Sequence, residues 1–144
     1  RYKNVKFILI SPEELRVPSY IRNDVLDKEH AQYEEVVRLE DALPKLDILY
    51  MTRVQKERFS DLMEYERVKN VYILKRDMLC KAKENMKIMH PLPRVNEIAY
   101  DVDDDPHAYY IQQAQNGLYA REAIFCHCLG ISLDDVKNDK TIIG

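Results

Sequence analysis

A chain of 144 residues, 46% of them hydrophobic, is long enough for one domain with a real core and too apolar to stay disordered. Its formal net charge is -3 with acids and bases interspersed, so nothing draws it electrostatically to nucleic acid or an anionic membrane. The apolar runs FILI and LDILYM fall far short of the ~20 residues of a membrane helix, and FILI is also too short for a signal peptide.

In chain order, VKFILI (5–10) reads as a buried strand. Ser11 then stands as the N-cap of a helix with Pro12 at its first position and Glu13 and Glu14 in its first turn. A second helix is expected from Pro18 to about His30, with Ile21, Val25 and Leu26 at helical spacing. AQYEEVVRL is compatible with a strand, and EDALPKL with a short helix leading to a second buried strand, LDILYM (46–51). The polar loop TRVQKERF follows, then a helix over SDLMEYERVKN capped by Ser60. VYILKRDMLCKAKENM gives a short apolar segment and another helix, and KIMH the third core strand. DVDDDP is an acidic turn at a helix start. The helix is expected to break at Asn116-Gly117, resume, and end at Gly130 as C-cap. Strands alternate with helices, which predicts an α/β fold: three layers, a mainly parallel sheet flanked by helices. The polar tail, 131–144, is expected to fray.

Three cysteines, Cys80, Cys126 and Cys128, are an odd number without framework spacing, as expected for free thiols in a reducing, cytoplasmic setting. The Cys-His-Cys run at 126–128 lacks a second ligand pair, and its members diverge on a helix, so no metal site is expected. DVDDDP resembles a calcium loop but has Pro106 where such loops need glycine. With glycine only at 117, 130 and 144, no phosphate-cradling loop is possible, and no cofactor is expected.

Ligands of open α/β sheets bind beyond the carboxyl ends of the strands. Two polar loops stand there, TRVQKERF after LDILYM and PLPRVNE after KIMH, and as neighbours they would form two walls of one site. In the first, Arg53 and Gln55 point the same way if the backbone is extended, with Cα atoms ~6.5 Å apart. An arginine fork beside a neutral amide suits a small dicarboxylate or an amino acid. Spacing alone favours a plainer reading, a solvated charged loop. In the second, His90-Pro91 and Leu92-Pro93 are the bonds best able to be cis, since X-Pro lowers the cis cost to about 0.5–1 kcal/mol. Prolines donate no hydrogen bond, so this turn presents acceptors only and suits a ligand carrying an NH₂ group. A purely structural turn is the alternative, and His90 itself is read as a packed, hydrogen-bonded histidine.

The stretches YMTRVQKERF, MHPLPRVNEI and DVDDDPHAYYIQQAQNGLYAREA together resemble the aspartate-binding domain of aspartate carbamoyltransferase catalytic chains, in that family's order and through nearly all of the chain to Gly130. Ornithine-specific relatives carry His-Cys-Leu-Pro where this chain has His90-Pro91-Leu92-Pro93, and they lack the Arg-x-Gln-Lys-Glu-Arg loop. The resemblance implies transfer of the carbamoyl group of carbamoyl phosphate to L-aspartate, an early step of pyrimidine synthesis. It implies that Arg53 and Gln55 bind L-aspartate and that Leu92 and Pro93 offer backbone carbonyls to the carbamoyl NH₂. Lys56, Glu57 and Arg94 would support the loop through ion pairs.

The resemblance also sets expectations about what lies elsewhere. Residues 1–130 correspond to the aspartate domain without its first strand and helix, so the fold is expected to be incomplete at its N-terminus. The carbamoyl-phosphate domain, with its Ser-Thr-Arg-Thr loop and its acid-base residues, has no counterpart here. The chain by itself is expected to be inactive, with no catalytic acid or base of its own. Relatives form homotrimers with sites between subunits, and a regulatory subunit or fused pathway domains are possible partners. A non-catalytic binding or assembly module is the competing reading; the presence of Arg53, Gln55, Leu92 and Pro93 argues against it.

Overall fold

A computed structural model describes residues 4–56, 59–132 and 134–135. Two pairs of parallel strands form its sheets. Strand β1 (Lys6–Ile10) pairs in parallel with β2 (Gln32–Val36), and β3 (Ile48–Tyr50) with β4 (Lys87–Met89). The architecture is α/β with parallel sheets flanked by helices, as the alternation of elements requires. One continuous sheet was expected; among the described residues the two pairs instead meet through side chains. Ile8, Ile10 and Val36 pack onto a core built by Leu43, Leu49, Leu74, Met86, Ile88 and Val102 with their neighbours.

Helices fill the crossovers. Pro18 precedes α1 (Ser19–Ile21), which widens into π-type turns over Arg22–Asp27 and ends where His30 turns left-handed at φ 52°. Helix α2 (Leu39–Ala42) continues as a 3-10 turn, Leu43–Lys45, and buries Leu39, Ala42 and Leu43. Helix α3 (Leu62–Val68) follows the loop after β3, and α4 (Tyr110–Cys128) follows the acidic turn.

Several local expectations need correction. β1 and β3 are not buried on both faces: Phe7, Ile48 and Tyr50 stay exposed, because the core covers one side and side chains alternate along a strand. Ser11 caps no helix. Its N–H instead extends the β1–β2 ladder to Val36 O at 3.2 Å, and only a 3-10 turn, Glu13–Leu15, follows. The cap of α3 is Asp61, one residue after Ser60, with its Oδ1 accepting from Met63 N at 2.8 Å. The segment after Lys75 forms a 3-10 helix, Arg76–Lys81.

Helix α4 runs unbroken through Asn116-Gly117. A mid-helix glycine costs only about 1 kcal/mol relative to alanine, which nineteen consecutive helical residues absorb. Its end is as expected: Gly130 takes φ 70°, and Gly130 N and Ile131 N bond to the carbonyls of His127 and Cys126, the double bond that closes a helix on a left-handed residue. Apart from Tyr110 the helix is not buried, and no helix of the described residues is long and apolar enough to cross a membrane.

Ile88 sits at the centre of this arrangement. It is wholly buried, pairs with Leu49, and bridges to Ala108. Replacing it with alanine is expected to lower stability by about 2–5 kcal/mol, read as an earlier urea midpoint at unchanged slope.

Candidate functional site

A cleft of about 820 Å³ opens beyond the carboxyl ends of β1, β3 and β4. Three loops wall it: Ser11, Pro12 and Leu15 after β1; Thr52 to Gln55 after β3; and His90 to Pro93 after β4. Phe59, Glu64 and Val68, from α3 and its approach, close a further side. The two loops singled out in the sequence therefore share one cavity. Their closeness follows from β3–β4 pairing in parallel, carried one residue further by Met51 N donating to Met89 O at 2.9 Å. The wall after β1 was missed, although the rule that ligands sit beyond strand ends applies equally to FILI-Ser11.

Arg53 and Gln55 both line the cleft and are exposed within it. Lys56 is exposed, and its carbonyl accepts from Phe59 N at 3.1 Å. Glu57 lies outside the described residues.

The opposite wall is held from below. The Leu92-Pro93 bond is cis, one of the two X-Pro bonds expected to be so, and Leu92 stands at φ 48°. For a leucine the left-handed region costs roughly 1–2 kcal/mol, so bonds around it must hold it there. They are present. Leu92 N donates to His90 Nδ1 at 2.8 Å, and His90 Nε2 meets Glu97 Oε1 at 2.7 Å. The second carboxylate oxygen of Glu97 accepts from Val95 N and Asn96 N, both at 3.1 Å. His90 N in turn donates to Gln113 Oε1 of α4 at 2.9 Å. His90 and Glu97 are 2% and 5% exposed, so the packed-histidine reading holds, with a buried carboxylate that no sequence pattern flagged. Burial opposes ionisation of Glu97, yet the N–H groups of Glu97, Val95 and Asn96 and the His90 ring outweigh it and keep its carboxyl below the usual range.

Among the described residues no donor is bonded to the carbonyl oxygens of Leu92 or Pro93. The turn is thus anchored through its N–H groups.

Arg94 is bonded to Asp103 and Tyr110 among the described residues. Its guanidinium grips both oxygens of Asp103, reaches Tyr110 Oη at 3.2 Å, and lies over the rings of Tyr100 and Tyr110 at 4.7 and 5.5 Å from their centroids. The acids of DVDDDP are therefore not caps of α4. Asp103 holds Arg94, and Asp105 holds His107 at 2.5 Å and Arg76 at 3.6 Å. The hydrogen bond from Arg94 keeps the Asp103 carboxyl below its usual range, and burial followed by the Asp103 bond pushes the Tyr110 phenol up to about 12.

Comparison with known proteins places these features in a family. A family model described as aspartate/ornithine carbamoyltransferase, Asp/Orn binding domain, matches residues 2–128. The aspartate carbamoyltransferase catalytic subunit of Bacteroides thetaiotaomicron is 58% identical over 139 residues, covering 96% of this chain and 44% of its own length. The catalytic subunit of M. jannaschii aspartate transcarbamoylase superposes with a TM-score of 0.76 at 45% identity, over 86% of this chain and 40% of that one. The Trypanosoma cruzi aspartate transcarbamoylase in complex with carbamoyl aspartate and phosphate gives 0.71 at 31% identity, over 83% and 39%. The chain thus spans less than half the length of these relatives.

A depressed folded-state pKa contributes stability that is complete above the unfolded value, about 3.9 for aspartate, and is lost as pH falls through the folded value. The wild-type advantage over Asp103→Asn is accordingly expected to be full at pH 7 and to shrink below about pH 4, measured by urea unfolding across that range.

Proposed function

The chain belongs to the aspartate/ornithine carbamoyltransferase family, as a stretch of its Asp/Orn-binding domain, and from that premise we propose that it supplies the aspartate half of an aspartate carbamoyltransferase. Residues 1–130 are the aspartate-binding unit and 131–144 a polar tail. The reaction joins L-aspartate to carbamoyl phosphate and yields N-carbamoyl-L-aspartate and phosphate, a step of de novo pyrimidine synthesis. The observation that carries this reading is the shared cleft: Arg53 and Gln55 on one wall, Leu92 and Pro93 on the other.

Each wall has a distinct task. The Arg53 fork is matched to a carboxylate, and Gln55 adds a neutral donor and acceptor beside it, so a small diacid is held at one side of the cleft. Across it, the carbonyls of Leu92 and Pro93 accept from the carbamoyl NH₂ and turn the carbamoyl carbon toward the aspartate amine. The amine's lone pair forms the new C–N bond, the C–O bond to phosphate breaks with its electron pair going to the departing phosphate, and the proton shed by the amine nitrogen passes to that phosphate. These residues contribute by positioning the two reactants for attack, which is where a large part of such a rate enhancement arises. Lys56 and Glu57 support the Arg53 loop, and Arg94, through Asp103, supports the proline turn.

The Pro91-Leu92-Pro93 sequence favours aspartate over ornithine as the amine. The trypanosomal relative, whose structure holds carbamoyl aspartate and phosphate, supports the same two products. The partner this reading requires is a carbamoyl-phosphate domain, which brings the phosphate site and the acid-base groups. The working assembly is a cytoplasmic homotrimer, to which a regulatory subunit or fused pathway domains are added in some settings.

In the protein assayed with its carbamoyl-phosphate domain present, Arg53→Ala is expected to raise the aspartate KM roughly 10–100-fold. That corresponds to losing charge-assisted hydrogen bonds of about 1.5–3 kcal/mol. An unchanged response to aspartate concentration removes Arg53 from this role.

A further inference from the structure

Behind the proline turn lies a buried polar pair that carries no part of the chemistry above. We propose that His90 and Glu97 are positioning residues for carbamoyl transfer: together they clamp the 92–96 turn so that the Leu92 carbonyl is held toward the cleft. This rests on the reading of Leu92 as a contact to the carbamoyl group.

The bonding decides the proton inventory. A backbone N–H cannot accept, so Nδ1 of His90 must be unprotonated to receive Leu92 N–H. The ring proton then sits on Nε2 and is donated to Glu97 Oε1. Glu97, acceptor-only as a carboxylate, takes the Val95 and Asn96 N–H groups on its other oxygen. One imidazole and one carboxylate thus hold three amide groups of a five-residue turn. Gln113 ties the same histidine to α4 through His90 N, and its amide nitrogen reaches Tyr50 Oη, at the end of β3, at 3.4 Å.

The arrangement is directional as well as stabilising. A buried carboxylate–imidazole pair is a poor way to gain stability compared with apolar packing of the same volume. It is a good way to hold an unfavourable backbone angle, and Leu92 at φ 48° is such an angle, next to the carbonyl that faces substrate. His90 also lines the cleft beside Pro91 and Leu92, so the clamp and the acceptor turn border the same cavity.

Two substitutions separate a clamp from a plain buried pair. In His90→Asn the carboxamide oxygen takes the place of Nδ1 and keeps the acceptor for Leu92 N–H; in His90→Gln the polar group reaches toward Glu97 and the acceptor is lost. In the protein with its carbamoyl-phosphate domain, His90→Gln is expected to lower kcat about 10²-fold, the scale of a small misplacement of reacting groups, with aspartate KM nearly unchanged. His90→Asn is expected to retain most of the activity. Equal losses in both variants, or better activity in the Gln variant, overturn the proposal.

Nitrogen NMR of the His90 ring and of the Leu92 amide gives a readout free of activity. The expected pattern is an unprotonated Nδ1, a protonated Nε2, and a Leu92 amide that moves in His90→Gln but stays in His90→Asn. A proton on Nδ1 overturns the clamp. Should the unsubstituted protein fail to turn over aspartate and carbamoyl phosphate, the carbamoyl-transfer reading falls, while the ring pattern still decides the clamp. Should His90→Gln fail to fold, the ring pattern together with the Asn variant's kcat decides it alone.

Discussion

Parallel pairing of two three-residue strands is the constraint on which the site depends. With β3 and β4 side by side in register, Leu49 opposite Ile88 and Tyr50 opposite Met89, both chains leave the sheet at the same edge. Antiparallel pairing would send the Arg53 loop and the proline turn to opposite ends of the molecule. Strands this short have few ladder bonds, so side-chain burial holds the pair. Leu49 and Ile88 point into the core, and a fully buried side chain of that size contributes about 1.5–3 kcal/mol. Stability and the meeting of the two loops thus come from the same residues.

The two walls differ in how they are held. The wall after β4 is built over buried and half-buried polar groups: His90 with Glu97, Gln113 beneath His90, and Arg94 locked by Asp103 and Tyr110. The wall after β3 is exposed along Thr52 to Gln55, apart from half-buried Val54. A firm acceptor platform faces a more solvated arginine-bearing loop. Asp103 is taken up by the guanidinium of Arg94 and Asp105 by His107 and Arg76, away from the loop-borne Arg53 that lines the cleft.

Much of this was legible in the chain. The alternation of apolar runs with helical patterns gave the α/β class, and strand ends followed by polar loops marked two of the segments that line the cleft, while roles for Arg53, Gln55, Leu92 and Pro93 came only with the family resemblance. The restricted chemistry of X-Pro put Leu92-Pro93 among two cis candidates, beside His90-Pro91. The helix end at Gly130 was equally readable, because only glycine takes a left-handed residue there at little cost. Local errors arose where neighbouring residues compete on nearly equal terms. Asp61 caps α3 although Ser60 is also a good cap, and α4 passes Gly117 because one glycine is a small penalty against a long run of helical bonds.

By itself, then, the sequence determined what depends on neighbours along the chain: periodicity, turn chemistry, and motifs specific enough to resemble one family. Only the tertiary structure decided which distant groups meet. Glu97 lies seven residues from His90, and Gln113 twenty-three, separations over which no periodic pattern survives because turns and a helix start intervene. Asp103 became the partner of Arg94, and Ser11 part of the cleft, for the same reason. Hydrogen bonds and ion pairs act over a few ångströms in space, and folding alone brings such residues within that range.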